Sequence, residues 1–162
     1  MSMLAKTWRF AALAFLIDQA FKYWIVFGLD LINVRVIEVV PPYLVFAMGW
    51  NYGINFGFFG GSGEAGRWML IAIAVGVSAL LSQWARKATG TDYAAAYGLI
   101  IGGALGNALD RMVHGAVADF LNMSCCGVRN PYTFNVADIF IFAGVGMLIY
   151  ISHRDDRKRA VE

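Results

Sequence analysis

The chain has 162 residues, of which 59% are hydrophobic and 15% are charged. Soluble domains usually have about a quarter of their residues charged and about 45 to 50% apolar, so this composition excludes most cytosolic folds. The mean hydropathy of +0.59 and the 18 glycines indicate packed membrane helices. The net charge of +2 is too small to indicate a nucleic-acid-binding protein.

Four stretches are predicted to cross a bilayer, which requires about 20 mostly apolar residues in a helix. They are residues 10–29, 68–84, 93–112 and 132–151. The fold class we predict is therefore a membrane all-α protein with four transmembrane helices. One membrane domain is expected over 1–162, with a small extracytoplasmic β-structured region between the first two helices.

The distribution of basic residues predicts the orientation of these helices. Cytoplasmic loops carry an excess of Lys and Arg. One side of the predicted bundle has Lys6, Arg9, Arg86, Lys87, Arg154, Arg157, Lys158 and Arg159. The other side has Arg35, Arg67, Arg111 and Arg129. Both termini are therefore expected in the cytoplasm, and the two longer connections are expected to face outward.

The first outward connection, about 30–60, has the pattern of a short β structure. Apolar residues alternate from Ile32 through Val36 until Pro41 and Pro42 stop the run. We predict a strand there, paired with residues 43–48 at the membrane surface. Glycines recur from Gly53 to Gly66, which indicates turns or a close approach of the backbone to another group.

Ionisable and amide side chains occur inside the predicted spans, where each needs a partner or a function. Asp18 and Lys22 are four residues apart on the first helix and can form an ion pair. Asn107, Asp110 and Arg111 share one face if the third span is helical. Ion pairing and polar packing between helices explain part of this pattern without any catalytic role.

Two acidic residues, Asp119 and Asp138, lie near the outward ends of the third and fourth spans. We expect Asp138 one to two turns inside the fourth helix. Two facing carboxylates titrate as a coupled pair, one neutral and one ionised. Such a pair can hydrolyse a peptide: the ionised group takes a proton from water, and the neutral group protonates the carbonyl and then the leaving nitrogen. A proton relay is the alternative, because any two intramembrane acids could form one.

Metal chemistry is not expected, and no cofactor is predicted. The chain has only His114 and His153, and no H-E-x-x-H sequence that would hold zinc on a helix.

Five motifs together resemble the lipoprotein signal peptidase family, also called signal peptidase II. They are DQAFK (18–22), NYGINFG (51–57), GALGNALDR (103–111), GAVADF (115–120) and FNVAD (134–138), in the family's order. The resemblance implies an intramembrane aspartyl endopeptidase of the bacterial inner membrane. Such an enzyme cuts the signal peptide from prolipoproteins before the diacylglyceryl-modified cysteine. Its expected partners are these lipidated substrates and membrane lipids, and a monomer is expected.

The resemblance also implies roles for individual residues. Asp119 and Asp138 match the two catalytic aspartates. The candidate substrate-binding residues are Asn51, Asn107, Arg111 and Asn135. The candidate supporting residues are Asp18, Lys22, Gly53, Gly103, Gly106 and Asp110.

The chain departs from the family pattern at two places. Asn55 stands where a small residue is common, and the loop 122–133, with Cys125 and Cys126, matches no family motif. A bridge between adjacent cysteines would be strained, and we assign these two no role. Two other functions remain open from the sequence: a small proton-coupled transporter, and a scaffold whose polar residues only hold helices together.

Overall fold

The computed structural model describes residues 1–53 and 63–159. Four long helices dominate it: α1 (Met3–Lys22), α3 (Gly63–Lys87), α4 (Thr91–His114) and α5 (Val136–Arg159). The Ser2 hydroxyl caps the start of α1 by accepting a hydrogen bond from the Ala5 N–H. The first helix continues as a π-helical stretch, Tyr23–Gly28, and is followed by the single turn α2 (Leu31–Val34).

Helix α4 lies at the centre of the bundle and packs against α1, α3 and α5. Its glycines allow this close packing. A Cβ atom on Gly102 would collide with the Ala11 carbonyl of α1, and a Cβ on Gly103 would lie 2.5 Å from the Ala137 carbonyl of α5. Small residues at such contacts let helix backbones approach each other.

Among the described residues, three helices rather than the predicted four are long and apolar enough to cross a membrane. They cover Met3–Gly28, Gly63–Lys87 and Val136–Lys158. The predicted span 93–112 is indeed helical, but its C-terminal end carries Asn107, Asp110 and Arg111, and it is largely enclosed by the other helices. The four-span expectation is therefore supported for three helices only.

Three antiparallel strands form one sheet in the order β1 (Val36–Val40), β2 (Leu44–Asn51) and β3 (Val117–Asn122). The predicted hairpin exists, with Val36 opposite Ala47 and a turn at the two prolines. Its first strand begins at Val36 and not at Ile32, because Leu31–Val34 forms a helical turn and Arg35 adopts a positive φ of 69°.

The third strand comes from beyond α4, so the prediction of a β region only between the first two helices was incomplete. Helix α4 ends at His114, and the next residue, Gly115, has a φ of 80° that turns the chain back toward β2. Trp50 then pairs with Ala118, and Gly49 pairs with Asp119. This pairing joins segments that are far apart in the sequence, which local alternation of side chains cannot reveal.

The last helix begins at Val136, four residues later than predicted, and extends to Arg159. Residues before it belong to a hairpin-like loop in which Phe134 bridges to Leu121 and Cys125 bridges to Val128. As a result Asp138 lies in the first turn of α5, not one to two turns inside it.

Candidate active site

The start of α5 is closed by a reciprocal pair of hydrogen bonds between Asn135 and Asp138. The Asn135 side-chain oxygen accepts from the Asp138 N–H at 3.1 Å, and the Asp138 carboxylate accepts from the Asn135 N–H at 3.2 Å. This is a capping box, with Asn at the N-cap and an acid three residues later. The motif FNVAD therefore places the Asp138 carboxylate at the very beginning of the helix.

Strand β3 supplies the second carboxylate. Asp119 is only 2% exposed and lies between Ala118 and Phe120, which are also buried. Its two oxygens accept from two different amides: the Asn135 Nδ2 at 2.6 Å and the Asn51 Nδ2 at 3.1 Å. Asn135 therefore contacts both aspartates, and it links the end of the sheet to the start of α5.

Both carboxylates line one cavity of about 840 Å³. The β2 end contributes Gly49 to Gly53, the loop contributes Asn130 to Phe134, and α5 contributes Ile139, Phe142 and Ala143. Phe142 is 70% exposed on the outside of α5. The cavity thus joins two acids to an apolar helix face, and a site with few polar groups in an apolar wall is typical of ligand binding.

Burial, and after it the nearby charge of Asp138, raise the pKa of Asp119 to about 7. The hydrogen bonds from Asn135 and Asn51 act in the opposite direction, because they favour the ionised form. A carboxyl group that holds a proton near neutral pH is available as a general acid.

Behind the two aspartates lies a second polar cluster, formed by Asp18, Lys22 and Asp110. The predicted ion pair is present, with Lys22 Nζ 2.9 Å from Asp18, and the same Nζ lies 2.9 Å from Asp110. Lys22 also donates to the Asn107 side-chain oxygen at 3.0 Å, and the Asn107 Nδ2 donates to Asp138 at 3.0 Å. The two polar groups predicted separately on α1 and α4 therefore form one network that reaches Asp138.

Arg111 binds protein backbone in this structure. Its guanidinium donates to the Gly53 carbonyl at 2.6 Å and to the Asn107 carbonyl at 3.3 Å. The Gly53 N–H in turn donates to the Asn51 side-chain oxygen at 3.1 Å. Arg111 and Gly53 thereby hold the end of β2, and with it the amide that contacts Asp119.

The two predicted supporting glycines of α4 each face a polar element of the site. Gly103 faces the Ala137 carbonyl next to Asp138, as described above. A Cβ on Gly106 would lie 2.6 Å from the Asp18 carboxylate. Gly106 therefore leaves the space in which Asp18 reaches across from α1.

The sequence reasoning missed two contributors to this region. Gln19 donates to Asp18 at 3.1 Å and to Asp110 at 3.2 Å. Its signals in the sequence were its place in the motif DQAFK and its position beside Asp18. Residues 130–133 of the loop also line the cavity, although they matched no motif. Cys125 and Cys126 at the loop's tip are free and exposed. Asn55 and half of the glycine series, Gly57, Gly60 and Gly61, lie outside the described residues.

Comparison with known proteins places this arrangement in a class of membrane enzymes. A solved structure described as a bacterial membrane enzyme superposes with a TM-score of 0.79 at 27% identity and covers 94% of this chain and 90% of the other. A second structure with the same description gives a TM-score of 0.75 at 25% identity, over 91% and 92% of the two chains. The fold is that of an integral membrane enzyme.

The sequence comparisons then give the family. The family model described as signal peptidase (SPase) II matches residues 10–154. A lipoprotein signal peptidase of Methylorubrum extorquens (strain PA1) is 45% identical over 138 residues, which cover 85% of this chain and 80% of that protein. One of Rhodopseudomonas palustris (strain ATCC BAA-98 / CGA009) is 38% identical, over 86% of each chain. This chain belongs to the signal peptidase II family, and the resemblance drawn from its motifs is confirmed.

Proposed function

We propose that this protein is an intramembrane aspartyl endopeptidase that removes signal peptides from prolipoproteins. It cleaves before the diacylglyceryl-modified cysteine and uses Asp119 and Asp138 as its catalytic pair. The observation that carries the proposal is the placement of two buried carboxylates, joined through Asn135, on the wall of one cavity. Family membership makes the protein a peptidase, and its relatives do not support the transporter alternative.

The chemistry requires one ionised and one protonated carboxyl group. With a pKa near 7, Asp119 is the member that holds the proton, and Asp138 is the base. Asp138 removes a proton from a water molecule, whose oxygen attacks the scissile carbonyl carbon. Asp119 donates its proton to the carbonyl oxygen. When the tetrahedral intermediate collapses, the leaving nitrogen takes the proton that Asp138 received from the water, and Asp119 recovers a proton from a hydroxyl group of the intermediate.

The shape of the cavity supports an extended, lipid-modified substrate. The end of β2 presents backbone groups and the Asn51 side chain at one wall, while Phe142 and Ile139 of α5 face the apolar surroundings at another. Substrate backbone would be held near Asn51 and Asn135, and the apolar signal helix and acyl chains would lie along α5. Asn107 and Arg111 would then act indirectly. Asn107 would act through its hydrogen bond to Asp138, and Arg111 would act through its hydrogen bond to the Gly53 carbonyl.

The same proposal includes the membrane arrangement. Helix α4 would be a fourth crossing, shielded from lipid by α1, α3 and α5, with both termini in the cytoplasm and the cavity near the outward face of the inner membrane. The basic residues at the ends of α1, α3 and α5 support this orientation. One chain holds both aspartates, so a monomer suffices and the chain acts as one domain.

The decisive experiment is cleavage of a purified diacylglyceryl-modified prolipoprotein in detergent. Wild type is compared with Asp119→Asn and Asp138→Asn, which keep the side-chain shape and remove the titrating group. Loss of cleavage in both variants, with unfolding temperatures close to wild type, supports the aspartyl pair. A folded variant that cuts at the wild-type rate refutes it, and a folded wild type that cuts no lipidated precursor refutes the peptidase assignment.

A further inference from the structure

We propose that Lys22 is a positioning residue that sets the separation and orientation of Asp119 and Asp138. This inference rests on the proposed function, because it concerns how the same two aspartates are held. Among the described contacts, Lys22 forms no hydrogen bond or ion pair with Asp119, although its charge favours the ionised form of that carboxylate at longer range. It acts through three acceptors, Asp18, Asp110 and Asn107, each of which reaches the site by one further hydrogen bond.

Two of these three acceptors, Asp18 and Asp110, bind a backbone N–H group next to a site aspartate. The Asp18 carboxylate accepts from the Ala137 N–H at 2.9 Å, and Ala137 immediately precedes Asp138. The Asp110 carboxylate accepts from the Ala118 N–H at 3.2 Å, and Ala118 immediately precedes Asp119. The start of α5 and the start of β3 are thus held by the same type of contact at equivalent positions.

The lysine ammonium group joins these two contacts into one unit. Its nitrogen lies 2.9 Å from each carboxylate and 3.0 Å from the Asn107 oxygen, so the three N–H bonds of the ammonium have three acceptors. Asp18 is fully buried, and Lys22 and Asp110 are at most 5% exposed. A displacement of either carboxylate would therefore expose a buried charge without its partner, which is strongly unfavourable.

The hydrogen bond from Lys22 to the third acceptor, Asn107, fixes the orientation of the Asn107 side-chain amide. Because the Asn107 oxygen faces the lysine, its Nδ2 must face Asp138, to which it donates at 3.0 Å. With the amide reversed, an oxygen would face the Asp138 carboxylate and an N–H would face the ammonium. Lys22 therefore determines that Asn107 presents a donor to Asp138.

If Lys22 only held helices together, the losses of kcat among the variants described below would follow a different pattern. Another ion pair, between Arg154 of α5 and Asp92 of α4, joins two helices of the same bundle at the ends away from the site, with an N to O distance of 2.8 Å. It binds no backbone group next to a site aspartate. Arg154→Met is therefore a matched control that removes an ion pair between α4 and α5 without disturbing the site.

The test compares Lys22→Met and, at each acid, a Leu and an Asn replacement: Asp18→Leu, Asp18→Asn, Asp110→Leu and Asp110→Asn. Leu has a similar shape but cannot accept a hydrogen bond, whereas Asn retains an acceptor oxygen for the backbone N–H. We measure kcat and KM for lipidated prolipoprotein in detergent, at temperatures well below each variant's unfolding transition.

Misplacing a catalytic group by about 1 Å can lower the rate about 100-fold. We therefore expect Lys22→Met and both Leu variants to lose kcat by about 100-fold with KM changed less than about 3-fold. Each Asn variant should retain kcat within about 10-fold of wild type, and Arg154→Met should retain the wild-type value.

The inference is overturned if folded Lys22→Met keeps the wild-type kcat, or if the folded Asn variants lose as much as the Leu variants. If the Leu variants do not fold, kcat is compared between Lys22→Met and the two Asn variants. A lower kcat in Lys22→Met than in both Asn variants supports the inference, and equal values overturn it. If Lys22→Met also fails to fold, a 100-fold loss of kcat in both folded Asn variants overturns the inference, and retention of kcat supports it. Wild type is assayed first: if it cuts no lipidated precursor, the proposed function fails and the inference fails with it.

Discussion

Replacing Asn135 by Ala gives the sharpest single test of the site, because this side chain serves both aspartates. The change removes the cap of α5, which contributes about 1 kcal/mol. It also leaves the buried Asp119 Oδ1 without the donor that lies 2.6 Å away, at a cost of about 1 to 3 kcal/mol. We expect Asn135→Ala to lower the free energy of unfolding by about 2 to 4 kcal/mol.

The same change should shift the pH dependence of cleavage in a defined direction. The hydrogen bond from Asn135 lowers the pKa of Asp119, so its removal raises that pKa above about 7. A general acid works only while it is protonated, and the alkaline limb of the kcat profile should therefore move to higher pH. The assay is kcat for lipidated prolipoprotein across pH, with unfolding followed in the same detergent.

Two further variants separate these effects. Asn135→Ser keeps a good N-cap residue but has a shorter side chain, so it should recover about 1 kcal/mol of stability without restoring the alkaline limb. Asn33→Ala removes an exposed Asn to Asp hydrogen bond of the same 2.6 Å length, to Asp30, and should change neither quantity. An alkaline limb that stays in place or moves to lower pH in Asn135→Ala would refute the assignment of Asp119 as the acid.

Three other outcomes are expected. Asn51→Ala removes the second amide on Asp119 and should also move the alkaline limb of kcat to higher pH; an unchanged profile would contradict this. Gly103→Ala should lower stability by about 1 to 3 kcal/mol, because its Cβ would lie 2.5 Å from the Ala137 carbonyl, whereas Gly146→Ala, with open space around it, should be neutral in thermal unfolding. Cleavage should continue in excess EDTA, because the proposed mechanism uses only carboxylates and water, and inactivation reversed by added metal would exclude it.

Part of the site was accessible from sequence because it depends on short spacings. Asp18 and Lys22 are one helical turn apart, so their ion pair follows from helix geometry alone. The motif FNVAD has the spacing of a capping box, although we expected its acid deeper in the helix. That error arose because apolar residues before position 136 were counted as helix, whereas they belong to a loop that bridges to β3.

Other contacts join distant segments and have no local signal. The second acid on Lys22 comes from α4, and the third strand of the sheet comes from beyond that helix. Loop 130–134 lines the cavity only because its backbone pairs with β3. None of these follows from hydropathy or from residue spacing.

Composition, the apolar stretches and the order of the motifs determined by themselves that this is a membrane protein of the signal peptidase II family. Each of these properties is either a sum over residues or depends on residues that are close together in the sequence. Only the tertiary structure decided that Asn135 connects the two aspartates and that one lysine holds the backbone beside both. Such contacts depend on how α1, α4, α5 and the sheet pack together, and the glycines of α4 set how closely those elements approach.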